Sequence, residues 1–391
     1  MRVLRIGGKM IGIGRNFLVG PLSLIALTAV ALGFPVDTAQ PTITREKAEI
    51  RAKAEQGFVK QEIEIADAYF IGDGVPQDFA EAAHWYEKAA SAGDPGAQNQ
   101  TGYLYQAGIG VTRDPTRAAH WYQLAASGGL VQATVNLGIL YLRGLGVSRD
   151  PAAAQQLLEE ALRRGCGTAG AHLGDIYYYG LGVPEDREAG ERWYEAGAKL
   201  HDPMAEYRVA SLYSIIEGHA HDLHKAVNLL HSSSEKGFVP AIYSLGLILV
   251  NHPELAKSSG EALPLLQAAA NAGTWRASAV LGTLSRDGKG VPQDVRDAYF
   301  HFQVAVQQGG PEALLFLAYD LKLLEAKLDP AALQELSASA ESTAAQHHIQ
   351  LLYINADNKK GNNRRHHYPM IAIAVAPPEI SAGLLIPAAR D

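Results

Sequence analysis

The tetrapeptide Gly72-Asp73-Gly74-Val75 returns as Gly108-Ile109-Gly110-Val111, as Gly144-Leu145-Gly146-Val147 and as Gly180-Leu181-Gly182-Val183, each 36 residues after the last. It returns once more as Gly288-Lys289-Gly290-Val291, three such steps further on, so register survives two divergent copies. A period of this length leaves a chain few folds to choose from: copies of one small unit stacked in a row. Other columns keep the same step. Ala97, Ala133, Ala169, Ala205, Ala241, Ala277 and Ala313 form one, and Ala66, Gly102, Gly138, Gly174, Ala210, Gly246, Gly282 and Ala318 form a column of small residues. Tyr69, Tyr105, Tyr141, Tyr177 and Tyr213 make a third. In a fourth, Trp85-Tyr86, Trp121-Tyr122 and Trp193-Tyr194 alternate with Leu157-Leu158, Leu229-Leu230 and Leu265-Leu266.

Each unit reads as two short helices joined by tight turns. In Ala92-Gly93-Asp94-Pro95, glycine ends one helix in the left-handed conformation, aspartate caps the next, and proline takes its first position, where no N–H is needed. The helix from about Pro95 to Gln106 places Ala97, Thr101, Gly102 and Tyr105 on one face, with Gly102 allowing close approach of a neighbour. Asp114-Pro115 starts the second helix, with Ala118, Trp121, Tyr122 and Ala125 on its packing face. Helices of about three turns are marginal alone, so stacking must supply the burial.

These residues closely resemble the Sel-1-like repeat family, a branch of the tetratricopeptide-type solenoids, at seven successive steps over residues 61–309. The resemblance implies an all-α fold, an α/α solenoid superhelix. Two copies depart in their turns, which read Ile-Glu-Gly-His at 216–219 and His-Pro-Glu-Leu at 252–255. Ala226 and Ala262 hold their column, so the helices there are expected to persist. The chain divides into a signal peptide or N-terminal anchor (1–33), a capping helix (43–58), the repeat array (59–323), a degenerate repeat with C-terminal capping helices (324–353) and a flexible tail (354–391).

The first segment has Arg2, Arg5, Lys9 and Arg15 with no acid before Asp37, then an apolar run from Phe17 to Gly33 ending in the small residues Ala29, Ala31 and Gly33. That order is a secretory signal, and the mature chain is expected in the periplasm or outside the cell. Membrane attachment follows only if the segment stays uncleaved, as an inner-membrane anchor. The net charge of −7 falls by a further four on cleavage, to −11, which speaks against nucleic acid as a partner. Cys166 is the only cysteine, so neither an internal disulfide nor a cysteine zinc site can form.

Candidate chemistry is sparse. Ser233-Ser234-Glu235-Lys236 contains the S-x-x-K spacing of penicillin-interacting serine enzymes, but neither K-T-G nor S-D-N accompanies it. A cell-wall-directed serine hydrolase using Ser233 and Lys236 is the alternative function, and a surface helix end is the plainer account of the motif. His219, His221, His224 and His231 could hold zinc or copper, although solvated loop histidines are the commoner case. Trp85, Trp121 and Trp193 could form a carbohydrate platform, but a column shared with leucine belongs to packing. No enzyme activity and no cofactor are expected.

The family resemblance implies a scaffold or adaptor gripping a protein or peptide on the concave face, lined by the first helix of each unit. The stripe beside each packing stripe comprises Asn99, Tyr103 and Gln106; Val135, Ile139, Leu142 and Arg143; Ala171, Asp175, Tyr178 and Tyr179; Tyr207 and Ser211; and Tyr243 and Leu247. It is aromatic and aliphatic where a solvated face would be rich in Lys and Glu, which is interface composition. The same stripes could instead pack on one another in a narrow bore, or be covered by Met370–Pro387.

Overall fold

The computed structural model describes residues 4–6, 9–11, 43–215 and 222–353. Residues 4–6 and 9–11 form a short antiparallel pair, Leu4 opposite Ile11 and Ile6 opposite Lys9. From residue 43 onward the described regular elements are helical. After α1 (Arg45–Glu55) come helix pairs: α2 (Val59–Ile71) with α3 (Phe79–Ser91), α4 (Pro95–Ala107) with α5 (Pro115–Ser127), and α6 (Val131–Arg143) with α7 (Pro151–Arg163). They continue as α8 (Gly167–Tyr178) with α9 (Arg187–Lys199), α10 (Pro203–Ile215) with α11 (Leu223–Glu235), and α12 (Val239–Asn251) with α13 (Ala262–Asn271). Next are α14 (Trp275–Asp287), α15 (Val295–Glu325) and α16 (Pro330–Tyr353). At Gly310 (φ 60, ψ −141) α15 turns sharply, so its first limb pairs with α14 and its second limb pairs with α16. The fold is an all-α solenoid.

Local chemistry explains the repeated boundaries. Asp94 accepts from the Ala97 N–H at 2.8 Å, and Asp114 accepts from the Thr116 and Arg117 N–H groups at 3.0 and 3.1 Å. Caps of this kind stabilise by about 1 kcal/mol each. The capping residue also ties the turn shut: Asp114 N–H donates to the Tyr105 carbonyl at 2.8 Å, and Asp150 N–H to that of Tyr141 at 2.8 Å. The two turn glycines have different duties. Gly108, at φ +75, ends α4 in the left-handed region. A Cβ on Gly110 would stand 1.9 Å from the Phe79 carbonyl oxygen at the start of α3, so the second glycine docks each turn on the unit before it. In the first unit Gly74 stands instead against Thr44 and Lys47, and Thr44 N–H donates to the Gly74 carbonyl at 2.7 Å. Thus α1 occupies the place of a preceding second helix.

The divergent turn at 252–255 is a 3₁₀ turn, Pro253–Leu255, after which α13 starts only at Ala262 and lacks a side-chain cap. A Cβ on Gly290 of the next unit would meet nothing within 4 Å, so the usual docking is missing at this joint. The other divergent turn, at 216–219, lies outside the described residues.

Burial separates the helices into two layers. The first helix α6 buries ten of its residues, from Gln132 to Leu142, whereas its partner α7 buries only Ala154, Leu158 and Ala161. First helices are therefore the inner layer, and second helices carry the solvated outer face. The small-residue column lies where the layers meet: a Cβ on Gly102, Gly174 or Gly282 would come within 2.8, 2.2 or 2.5 Å of the rings of Tyr122, Tyr194 and Phe302. Opposite leucine there is more room, 3.3 Å at Gly138 and 3.0 Å at Gly246. Among the described residues no helix is long and apolar enough to cross a membrane.

Candidate functional site

Because the inner layer is enclosed on most sides, its polar side chains need partners close by. Asn136 Nδ2 on α6 donates to Asn99 Oδ1 on α4 at 2.9 Å, and Gln98 Nε2 donates to the Ala90 carbonyl at 3.2 Å. Two units further, Arg208 on α10 donates from Nη2 to Asp175 Oδ2 on α8 at 2.9 Å, with its Nε 2.9 Å from Oδ1. Tyr194 of α9 adds its hydroxyl to Asp175 Oδ1 at 2.8 Å. Neighbouring first helices are thus joined directly, through side chains 37 and 33 residues apart.

The stripe chosen from sequence divides accordingly. Asn99, Ile139, Asp175 and Leu247 are buried between helices. Tyr103, Gln106, Tyr178, Tyr179, Tyr207, Ser211 and Tyr243 are half-buried, and Arg143 is exposed. Burial raises the hydroxyl pKa values of Tyr103, Tyr178, Tyr179 and Tyr243, so these rings stay neutral. Tyr178 and Tyr179 stand edge to face at 5.1 Å, and Tyr207 rests against Phe238 at 5.5 Å. What the inner face presents is therefore a discontinuous row of ring edges and hydroxyls over a polar layer already paired. Such rings can pack on an apolar side chain and hydrogen-bond a peptide group, and the carboxylate of the stripe, Asp175, is committed to Arg208 and Tyr194.

Sequence reasoning missed Asn136, His172, Tyr194 and Arg208, although a signal was present. Tyr194 lies 19 residues after Asp175, and Tyr86 donates to Asp67 at the same separation. Leucine takes the later position, at 158 and 266, where Ile139 and Leu247 take the earlier one. A tyrosine in one column with an acid in the other is a buried hydrogen bond written in the sequence. Tyr122 faces Tyr103 in this pairing, and its buried hydroxyl has no hydrogen-bond partner among the described residues.

His172 is wholly buried beside this network. Burial lowers its imidazole pKa to about 4, with Asp175 opposing the shift and Arg208 and Arg143 adding to it. The folded chain therefore keeps it neutral, while the unfolded chain protonates it near pH 6.5. Its stabilising contribution is complete above about pH 6.5 and is lost as pH falls toward 4, a change on the order of 3 kcal/mol. Denaturation of wild type and His172→Gln at about pH 7 and pH 4.5 checks this: the wild type loses more stability on acidification. Equal losses would remove His172 as the cause.

The other candidates can be placed plainly. Ser233 is fully buried rather than at a surface helix end, and its Oγ donates to the Pro203 carbonyl at 2.6 Å. Lys236 Nζ is held by both oxygens of Glu206, at 2.8 and 2.7 Å, by Ser232 Oγ at 3.0 Å and by the His201 carbonyl at 2.9 Å. A buried hydroxyl with its proton committed and a lysine neutralised by a carboxylate do not make a nucleophile and its base. Ser285, Asp297 and His301 line an open groove with Leu263, Leu281 and Val291. There Ser285 donates to Asp297, and His301 Nε2 stands 3.7 Å from the same carboxylate, so the hydroxyl has no imidazole to take its proton. Of the histidine cluster, His224 is exposed, His231 is buried 3.6 Å from Glu261, and His219 and His221 lie outside the described residues. Among the described residues no three potential ligands gather as a metal site would require. Trp85 and Trp121 are buried, and Trp193 stacks on Tyr177 with centroids 6.4 Å apart, so the tryptophan column is packing. Cys166 is half-buried, and burial raises its thiol pKa, which keeps it unreactive.

Comparison with known proteins agrees with the repeat architecture. The family model described as Sel1 repeat matches residues 62–94, 95–130, 131–166, 171–202, 203–238 and 275–310, and skips the unit containing the 3₁₀ turn. No curated protein matches the chain. Among solved structures, a Sel1 repeat protein from Oxalobacter formigenes is similar at 27% identity and TM-score 0.52, over 63% of this chain and 98% of that one. A protective antigen of uropathogenic Escherichia coli strains, c5321, with an SLR fold, is similar at 24% identity and TM-score 0.41, over 87% of this chain and 79% of that one. The immunity protein Pa5087 from Pseudomonas aeruginosa is similar at 20% identity and TM-score 0.38, over 58% and 77%.

Proposed function

Because the chain belongs to the Sel1 repeat family, we propose that it is a non-catalytic adaptor of the bacterial envelope, or a secreted one, which holds a protein or peptide along its inner helices. Sel1 repeat proteins are generally protein-interaction scaffolds. The observation that supports the finer reading is the row of half-buried Tyr103, Tyr178, Tyr179, Tyr207 and Tyr243, with Gln106 and Ser211 between them and Arg143 exposed beside them. Aromatic rings with a polar tip are the side chains that interface centres favour. Asn99, Ile139, Asp175 and Leu247 act beneath that row: they hold the inner helices at fixed spacing.

The test is a peptide library displayed on phage, selected on the immobilised chain. Replacement of Tyr103, Tyr178 and Tyr243 by alanine is expected to weaken a selected peptide by tenfold or more, about 1.4 kcal/mol, with the thermal midpoint of each variant recorded alongside. Arg143→Glu, which disturbs no packing, serves as the second probe. Undiminished binding by both variants at an unchanged midpoint would move the function off the inner face.

The same proposal includes export. Apart from the six residues of the short strand pair, 1–33 lies outside the described residues, so the support is its charge and apolar order alone. Fused to a reporter that is active only beyond the cytoplasmic membrane, residues 1–33 should produce activity. A silent reporter at normal expression would count against export.

A further inference from the structure

The last first-type helix, the second limb of α15, buries Ala313, Leu317, Leu321 and Leu324 against its neighbours. Its other side is apolar too. Leu315 is 82% exposed and Tyr319 74%, with Leu314, Phe316 and Leu323 also open to solvent. Leu315 and Tyr319 stand six periods after Asn99 and Tyr103. In the interior units these columns face the following unit: Asn99 accepts from Asn136, and Asp175, in the column of Tyr319, pairs with Arg208. Among the described residues no helix follows α16 to cover the strip. An uncovered solenoid face is normally polar, and this one is apolar.

The shape of the strip says what fits it. It is one helix wide, because the neighbouring α16 exposes Gln334, Glu335, Ser339, Glu341 and Ser342. From Leu315 to Leu323 it runs only about 12 Å at 1.5 Å per residue. The exposed side chains offer on the order of 500–600 Å², taking 150–250 Å² for an aromatic ring, which falls short of the ~800 Å² per partner of a stable dimer. A single apolar segment matches better than a second copy. The chain carries one: between Tyr368 and Ala389 the only charged side chain is Glu379, and Met370, Ile371, Ile373 and Val375 lead the stretch. It can reach. α16 follows the second limb of α15 after a four-residue turn and so runs back beside it; its 24 residues carry the chain about 36 Å from that turn. The 16 residues from 354 to 369 span up to about 55 Å.

We propose that Met370–Pro387 of the same chain lies on the Leu315–Tyr319–Leu323 strip. Tethering makes the encounter intramolecular, so a modest apolar contact suffices where a free partner would dissociate.

Hydrogen exchange on the full chain tests this. Peptides within 311–325 and within 370–387 should both be protected, in a chain that stays monomeric from about 1 to 100 µM. Ile371→Asp, Ile373→Asp and Val375→Asp together should speed exchange in 311–325 by about tenfold or more. Leu315→Asp with Tyr319→Asp, both at exposed positions, should do the same to 370–387 while leaving the rest of the array unchanged. Free exchange of 370–387 in the wild type would overturn the proposal. So would a dimer whose dissociation by dilution exposes 311–325, since a second copy would then be the occupant.

Discussion

Gly174→Ala is expected to destabilise the array by about 2–4 kcal/mol, while Gly138→Ala stays within about 1 kcal/mol of wild type. Both glycines occupy the same column and gain the same helix propensity, about 1 kcal/mol, on becoming alanine. The difference is what each faces. A Cβ at 174 would sit 2.2 Å from the Tyr194 ring, which cannot swing away without giving up its hydrogen bond to Asp175. A Cβ at 138 would sit 3.3 Å from Leu158 Cγ and 3.4 Å from the Ala154 carbonyl oxygen, so only a few tenths of an ångström of adjustment is needed. Urea denaturation of the two variants measures the contrast. Equal midpoints would mean that the inner and outer layers yield more easily than their packing implies.

Arg208→Ala is expected to cost about 3–5 kcal/mol, because Asp175 is left charged and buried with only the Tyr194 hydroxyl to receive it. The pair Asp175→Leu with Arg208→Met should recover at least half of that loss, since replacing both charges with apolar groups of similar volume removes the desolvation penalty. Raised salt should change neither result much, as both partners are buried from solvent and so little screened. A double variant no better than Arg208→Ala would show that the stranded Asp175 charge is not the source of the loss.

The repeat was legible because each of its devices is local. Asp94 and Asp114 cap the helix that follows within three residues, and Gly108 ends the helix just before it. Local rules repeated every 36 residues give the helix pairs and their order. The candidate stripe was legible only as a direction on the helix. Periodicity places Asn99, Tyr103 and Asp175 on one side of the first helices, but it does not say how close the next first helix comes.

The amino-acid sequence alone determined the unit, its period, its caps and the column of small residues, since all of these are set by backbone conformations within a few residues. Only the tertiary structure decided which side chains of the inner stripe remain accessible. Asn99, Ile139, Asp175 and Leu247 are buried while Tyr178 and Tyr243 keep an open edge, because burial there depends on the gap between helices one period apart. That gap is set by whichever partner side chain spans it, as Asn136 spans it to Asn99 and Arg208 to Asp175. The same dependence explains why Leu315 and Tyr319 stand exposed in columns that are covered elsewhere: a column position carries its environment only when a following unit is there to provide it.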